Sequence, residues 1–447
     1  MTAVPPVPRA TAIDSPAPVA AVNSAAPVSG ARALDLRTVT DAEFPDWLRA
    51  ARTGFLRPPS VTGEEVALRR ATTDLGRTLG VFDGARCVAT LRSFPQRLTA
   101  AGGVAMAASA VTQVTVSPTH RRRGLLNRLI AAELAAARER GEPLATLVAA
   151  EYPIYGRYGF GPATRAAEWT VDLTRAGLDP RRPGPGREDG GRVELVDPAE
   201  ARRLAPGVHD RLRAVRAGVI DRSARRWDLL TGAVEFPGDP WREPFFAFHR
   251  AASGEIDGYA AYTADERWAD AKQPMVTATV RDLIAADPAA ERALWEYLFA
   301  IDWVTTVRTG LRAPDDLVPD LLPDPRAAGL TTEVDLLWVR VLDVVRALEA
   351  RTYATDGALV LDVRDPSGPA DGRYLLTAGP GGAECVRTDR DADLVLPVRE
   401  LGALLLGEGS AVRLAALGRV TEERPGAAAL AELLFRTARR PWCPDIF

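Results

Sequence analysis

Three consecutive arginines, Arg121, Arg122 and Arg123, stand with Gly124 between a β-branched run and a helical repeat, in the stretch AVTQVTVSPTHRRRGLLNRLIAAEL, Ala110 to Leu134. That order builds a phosphate-binding site. Val111, Val114 and Val116, with Thr112 and Thr115 between them, read as a strand, and Pro118 ends it by withholding a backbone N–H. Leu125, Leu126, Leu129, Ile130 and Leu134 then recur at helical spacing, leaving Arg128, Glu133 and Arg138 for the solvated face. The first N–H groups of a helix lack internal partners and its dipole favours an anion, so a pyrophosphate would satisfy this turn. On charge alone the plainer reading is a solvated arginine cluster; the strand, turn and helix around it favour the site. Some 30 residues on, Tyr152 to Thr164 (YPIYGRYGFGPAT) carries three tyrosine hydroxyls and three glycines within thirteen positions. Such glycines permit a tight loop, which on composition alone reads equally as an aromatic plug in a core.

The elements that must position these residues come from an ordinary globular composition. The chain has 447 residues, 47% hydrophobic and 26% charged, enough for two to four domains. A net charge of −3 advertises neither nucleic acid nor an anionic membrane. Arginine supplies nearly all the basic residues, Lys272 being the only lysine. Cys87, Cys385 and Cys443 are odd in number and far apart, and with His120, His209 and His249 they offer no zinc-like spacing. The expectation is a reduced cytoplasm and no metal. His120 beside the arginines reads as part of the turn rather than as a general base. Met1 to Arg32, rich in Ala, Pro and Ser, lacks a signal peptide's apolar core and reads as a disordered tail. No apolar run reaches the ~18 residues of a membrane span.

Along the chain, TLGVFDGARCVATLRSF reads as a hairpin turning at Asp83 and Gly84. Leu144 to Ala150 is a buried strand after the helix, and the tyrosine loop leads into another, which implies a mixed sheet flanked by helices. A polar Pro/Gly stretch, Thr174 to Arg192, reads as a linker. The middle region has helical patterns at Ala199 to Ala217 and Ala289 to Ile301 and strand patterns at Phe245 to His249 and Gly258 to Tyr262. It has no second R-x-x-G turn after a strand, so a repeat of the first fold there would lack the cofactor site. From Val334 a strand runs into a helix, then GALVLDVRD, GRYLLTAG and ECVRT read as strands. Pro397 to Leu406 and Ala427 to Ala438 read as helices, giving a small α+β domain.

The strand, R-x-x-G turn and helix resemble the acyl-CoA signature of the GNAT N-acyltransferases, Q/R-x-x-G-x-G/A. Arg121, Gly124 and Leu126 occupy its specified positions, Leu126 departing from the small residue usual there. Pro118 to Leu126 (PTHRRRGLL) followed by Ile154 to Thr164 resembles the enhanced intracellular survival (Eis) acetyltransferases more narrowly. Trp338 to Ala354 and the terminal aromatic Phe447 extend that resemblance to the far end. It implies an α/β (α+β) protein: a tail at 1–33, a GNAT domain with the acyl-CoA site at 34–172, a GNAT-like domain without a cofactor motif at 173–333, and a sterol-carrier-protein-like domain at 334–447.

The resemblance also implies a chemistry, which acyl transfer to an amine makes explicit: a neutral nucleophile, an oxyanion hole and a proton for the thiolate. It assigns the proton to Tyr155, leaving Tyr152, Tyr158 and Phe160 as scaffold, and the base to the α-carboxylate of Phe447. An α-carboxyl titrates at roughly 3.5, so burial must strengthen it as a base. The tail RRPWCPDIF suits docking; packing without catalysis is the alternative. Cofactor contacts are expected from Val114, Thr115 and Val116, from Arg121, Arg122, Arg123, Gly124, Leu125, Leu126 and Asn127, and from Ala150 and Glu151. The implied co-substrate is acetyl-CoA, without metal, and the implied acceptors are aminoglycosides or similar polyamine-bearing molecules. Gln113 and Ile446 depart from an aromatic and an acidic residue of relatives, with Asp445 and Glu151 as replacements for the acidic charge. Peptide lysines, longer acyl groups and a lipid-binding role for the C-terminal domain are the rival readings. A cytoplasmic homo-oligomer, a hexamer by resemblance, completes the expectation, with neither nucleic acid nor membrane as partner.

Overall fold

A computed structural model describes residues 34–178, 191–237, 240–366 and 368–447; the expected tail and most of the Thr174 to Arg192 stretch lie outside the described residues. The strand read around Val111 runs from Ala105 to Val116, and the helix after the arginines from Leu125 to Glu139. Pro118 opens a single 3-10 turn between them, and Gly141, at φ 74°, takes the left-handed position that closes the helix. The strands Thr78–Asp83 and Arg86–Thr99 form the expected hairpin. Asp83 faces Arg86, so the loop residues are Gly84 and Ala85, one position later than expected.

Glu133 corrects the helix reading. It is buried, accepting a hydrogen bond from Ser109 Oγ at 2.6 Å and another from Arg140 Nη2 at 2.6 Å. The helix lies on the sheet with a stripe wider than its leucines mark, and a carboxylate enters that stripe because both partners are supplied.

Two seven-stranded sheets form the body of the molecule. The first runs Asp35–Thr38, Thr78–Asp83, Arg86–Thr99, Ala105–Val116, Leu144–Val148, Leu337–Val341, Gly161–Pro162. Its Ala105–Val116 and Leu144–Val148 strands are parallel, joined across the Leu125–Glu139 helix as a βαβ unit. The second runs Ala328–Asp335, Arg165–Asp172, Val304–Arg308, Val276–Ala285, Ile256–Ala264, Phe245–Arg250, Arg192–Val196. The sheets exchange strands. Arg165–Asp172, expected in the first domain, pairs in the second sheet. Leu337–Val341, expected to open the C-terminal domain, pairs between Leu144–Val148 and Gly161–Pro162 of the first. The boundaries at 172/173 and 333/334 therefore each part a strand from its sheet. All five residues of Leu337–Val341 are buried, Arg340 with its charge met by Asp365 at 2.6 Å, and a strand buried on both faces carries no alternation that names its neighbours.

The third sheet has five strands, in the order Gly382–Arg387, Gly372–Gly379, Gly357–Arg364, Leu394–Pro397, Thr421–Glu422. Helices Val344–Glu349, Val398–Leu405 and Ala427–Phe435 accompany it. Leu359, Leu361, Leu376, Leu401 and Leu434 form one apolar cluster with Leu337, Val339 and Val341 of the first sheet. At about 1.5–3 kcal/mol per buried side chain of this size, that shared core fixes the C-terminal domain against the first sheet. A cavity of about 450 Å³ in this domain is lined by Arg390, Asp391, Asp393 and Arg424 beside Ala358, Val360 and Leu375. Four of these seven lining residues are charged. Among the described residues no helix is long and apolar enough to cross a membrane.

Candidate active site

The site begins with a break in strand pairing. Thr90 faces Thr115 and Arg92 faces Thr112, so Gln113 and Val114 together oppose Leu91. This is a β-bulge. Gln113, the departure noted in the sequence, sits at its apex with φ 52°, and Thr90 Oγ1 donates to its carbonyl at 2.8 Å. On the other side, parallel pairing with Leu144–Val148 stops at Ala110 and Thr146, and the two strands splay into a wedge. The Ser117 N–H donates to the Val88 carbonyl at 2.8 Å. Strand alternation then turns the backbone groups of Val114 and Val116 into the wedge and those of Thr115 away from it. Of the three strand residues expected to face the cofactor, Thr115 instead shares its hydroxyl with Thr90 Oγ1 at 2.7 Å.

After the Ala105–Val116 strand comes the arginine turn. Arg121, Arg122, Arg123 and Gly124 are exposed, with Arg122 at φ 63° and Gly124 at φ 72°. Among the described residues none of the three arginines has a carboxylate partner, although arginine–carboxylate pairs recur over the rest of the molecule. No side chain caps the following helix. A Cβ placed on Gly124 would meet nothing within 4 Å, so the space over the helix end is open. Uncapped N–H groups, three free guanidiniums and open space fit the pyrophosphate of a CoA. Leu125 anchors the helix in the core, Leu126 is half-buried, and Asn127 accepts a 2.6 Å hydrogen bond from the Tyr158 hydroxyl. His120 is buried in the turn, with Nδ1 2.8 Å from Thr119 Oγ1 and Nε2 3.4 Å from Asp83.

The tyrosine loop follows the other strand of the wedge. Ala150 and Glu151 are exposed, Tyr152–Tyr155 makes one helical turn, and Gly159 at φ 80° reverses the chain. A Cβ at Gly159 would lie 2.8 Å from Val398 and closer still to Arg340, so only glycine fits there. Tyr152 meets Trp338 edge-on at 5.0 Å. Tyr155 is 9% exposed among Val111, Leu125, Leu147, Phe160 and Trp338. Among the described residues its hydroxyl has no hydrogen-bond partner. Burial, then the nearby Glu151 and Tyr158, push its pKa up to about 12. The phenol therefore keeps its proton at neutral pH.

The chain terminus reaches this domain. The Phe447 ring meets Phe94, on the Arg86–Thr99 strand, edge-on at 5.6 Å. The tail is held from below: Trp442 is buried and its backbone N–H donates to the Ala217 carbonyl at 2.9 Å. Gly218, at φ 91°, lets the tail pass, since a Cβ there would lie 3.0 Å from the Trp442 backbone. Asp445 is 3% exposed and accepts from Arg222 at 2.9 Å and Arg226 at 3.3 Å. Arg222 also binds Asp282 at 2.6 Å and the Tyr259 hydroxyl at 2.9 Å. Burial opposes both charges, yet the pairing holds the Arg222 pKa well above and the Asp282 pKa below its ordinary value. Asp445 is thus spent on anchoring, not left as free acidic charge for a polycation. Sequence reading missed Phe94, Arg222, Tyr259 and Asp282; the pair Arg222 and Asp445 lies 223 positions apart and leaves no local signal.

Comparison with known proteins agrees with this layout. Residues 35–163 and 218–341 each match an acetyltransferase (GNAT) domain family, and residues 344–444 match a sterol carrier protein domain. An N-acetyltransferase of Streptomyces avermitilis is 60% identical over 414 residues, 93% of this chain and 99% of that protein. The N-acetyltransferase Eis of Mycobacterium tuberculosis is 35% identical over 375 residues, 83% of this chain and 88% of that protein. The crystal structure of Eis1 from Mycobacterium abscessus superposes with a TM-score of 0.79 at 30% identity, covering 92% of this chain and 100% of the other. A bulged strand, a splayed βαβ unit, two tandem domains of that kind and relatives of these lengths lead to one conclusion: the chain belongs to the Eis-like GNAT N-acetyltransferases.

Proposed function

We propose that the protein moves an acetyl group from acetyl-CoA to a primary amine by direct attack, with Tyr155 as proton donor and the α-carboxylate of Phe447 as base. The observation that carries this reading is the wedge beside Val114 and Val116, which leads to an uncapped helix end flanked by three unpaired arginines. Acetyl-CoA supplies the thioester. The arginines and the N–H groups of Leu125, Leu126 and Asn127 hold its pyrophosphate, and Ala150 and Glu151 border the acyl end. The amine nitrogen forms a bond to the acetyl carbon, the oxyanion is met by N–H groups of the Val114 to Val116 strand, and the carbon–sulfur bond then breaks. The proton lost by the amine passes to the Phe447 carboxylate, and the departing thiolate takes the Tyr155 proton. A phenol whose pKa is raised to about 12 stays protonated until a strong base such as a nascent thiolate forms.

Aminoglycosides and similar polyamine-bearing molecules are the acceptors that family resemblance brings, with peptide lysines second. CoA release in the presence of an aminoglycoside panel, simple polyamines and a lysine peptide tests the reading. Acetyl transfer to at least one amine, abolished or strongly slowed in Tyr155→Phe, is the expected result. No turnover with any amine overturns it. Deleting Phe447 tests the base separately: unchanged turnover in that variant removes the terminal carboxylate from the mechanism.

A further inference from the structure

Among the described residues five arginines have a buried guanidinium nitrogen without a hydrogen-bond partner: Arg77, Arg92, Arg216, Arg225 and Arg340. Three of them are balanced by carboxylates, Arg77 by Glu142 at 2.6 Å, Arg216 by Asp315 at 3.1 Å and Arg340 by Asp365 at 2.6 Å. Arg92 and Arg225 are not. Neither has a carboxylate partner among the described residues; Arg92 donates from Nη1 only to Thr73 Oγ1, at 3.5 Å, and Arg92 Nε and Arg225 Nη2 are removed from water with nothing to receive their N–H groups. A charge and a donor left so are unfavourable in a resting protein and favourable only when an anion arrives.

Both arginines border the same inter-domain region. The Arg69 guanidinium, from helix Gly63–Arg70, stacks 4.4 Å from the Phe236 ring, and Arg225, from helix Ala224–Leu230, faces that ring at 5.9 Å. Arg92 lies near enough to Arg69 that, after burial, the charge of Arg69 is what lowers its pKa. Its own guanidinium is 5.7 Å from Phe94, the ring on which Phe447 rests. The neighbouring carboxylates are already engaged: Glu65 takes Arg52 and Arg69, and Asp445 takes Arg222 and Arg226. The sheet face is the right one. Leu91 packs under the Leu125–Glu139 helix, whereas Thr90 turns to Thr115, which lies against Gly54 of the opposite layer. Arg92 and Phe94 share the Thr90 face by strand alternation.

We infer that the acceptor is an amine that also carries an oxyanion, a carboxylate or a phosphate, with Arg92 and Arg225 as its anion-binding residues. This rests on the acyl-transfer reading and changes its acceptor from a pure polycation to an anionic amine. A guanidinium presents paired donors to either oxyanion, and Arg92 stands one aromatic ring away from the terminal residue proposed as base.

The test is CoA release by the full-length protein with matched acceptors: an amino carboxylic acid against its primary amide, an amino-alkyl phosphate against its alcohol, and a polyamine without any anion. The anionic member of a pair is expected to exceed its neutral partner at least about tenfold in kcat/KM, mostly through KM, the size of one charge-assisted hydrogen bond. Which pair shows the larger ratio distinguishes carboxylate from phosphate. In Arg92→Gln and in Arg225→Gln that ratio is expected to fall about tenfold. Because the ratio compares two acceptors on one sample, loss of folded protein cannot imitate its collapse. Turnover of neutral amines or polyamines at rates equal to or above those of their anionic counterparts overturns this inference and leaves acyl transfer standing. Retention of the full ratio in both variants overturns the assignment to these arginines, and binding of acetyl-CoA without transfer to any amine overturns both readings together.

Discussion

The two sheets contain the same βαβ unit, and only the first leaves it open. In the first, Ala105–Val116 leads through eight residues, Ser117 to Gly124, to the helix Leu125–Glu139 and the strand Leu144–Val148. In the second, Val276–Ala285 leads through Ala286 and Asp287 to the helix Pro288–Phe299 and the parallel strand Val304–Arg308. Both long strands are bulged, at Gln113 and at Arg281, and both run on past their parallel pairing, which ends at Ala110 and at Thr279. The difference is what lies beside the unpaired end of the strand and at the helix end. Asp287 caps the second helix with its own carboxylate, accepting from Ala289 and Ala290 N–H at 2.9 and 3.0 Å. Arg312, just past the shorter strand, donates to the Leu283 carbonyl on the long strand and pairs with Glu291 and Asp316 at 3.1 and 2.8 Å. The tail's Trp442 then covers Arg312 at 4.5 Å. The second unit holds an internal anion at its helix end and an internal cation beside its long strand. We read this as a site closed by self-occupation.

If that is right, substitutions in the two units should fail in different ways. Tyr155→Phe should give the largest change, a fall of about 10²–10⁴-fold in kcat as the proton donor is removed. Thermal stability should hold, because among the described residues the hydroxyl has no hydrogen-bond partner to lose. With a pKa of about 12, Tyr155 should not impose a decline on the pH–rate profile until far into the alkaline range. Arg312→Met is the counterpart in the second unit. It leaves Asp316 buried beside no cation and Glu291 with Arg439 alone at 3.0 Å, with an expected loss of about 3–5 kcal/mol in denaturant unfolding. Its folded fraction should retain the KM for acetyl-CoA. A rise in that KM without a loss of stability would make the second unit a cofactor site.

How much of this was legible in the sequence follows the range of the interactions. The arginine turn, its helix and the tyrosine loop were read correctly as elements because each is specified by residues within a few positions. Pro118 stops a strand, and Leu125, Leu129 and Ile130 repeat at helical spacing. Glu133 was misplaced because a carboxylate on a helix looks solvated until Ser109 and Arg140 are known to meet it. The strand exchange was invisible for a related reason: Leu337–Val341 announces that it is buried but not against which sheet. Phe447 was singled out as a candidate base through resemblance, and its role stays a proposal, whereas the anchorage of the tail through Asp445, Arg222 and Asp282 depends on contacts between distant segments. The lack of a carboxylate beside Arg92 and Arg225 is a fact about what fails to come near them, and no local pattern encodes it.

Replacing Arg121, Arg122 and Arg123 with alanine tests the open helix end directly. Charge-assisted hydrogen bonds contribute about 1.5–3 kcal/mol each, so a rise of about 10–100-fold in the KM for acetyl-CoA is expected even if only one bond is lost in full. Raised salt should weaken acetyl-CoA binding in the parent protein more than in this variant, because the exposed guanidiniums are screened. An unchanged KM and salt response would return the turn to the status of a solvated charge cluster, and the contrast with Asp287 would lose its meaning.

The smallest effect belongs to Asp287→Ala. Removing this N-cap should cost about 1 kcal/mol, read as a lowered thermal midpoint. It also vacates the anion position at the second helix, which is why it bears on the comparison. Two features argue that a vacant helix end is still not enough. Pro288 at the first helical position has no N–H to offer, and the two-residue connection supplies no cation, where the first unit has three arginines. The Arg312 side chain meanwhile remains on the long strand. Acetyl-CoA binding measured by calorimetry should therefore stay at one molecule per chain. A stoichiometry of two would mean that the capping carboxylate alone had closed the second site, and that the arginines of the first are an aid to affinity rather than the reason it binds.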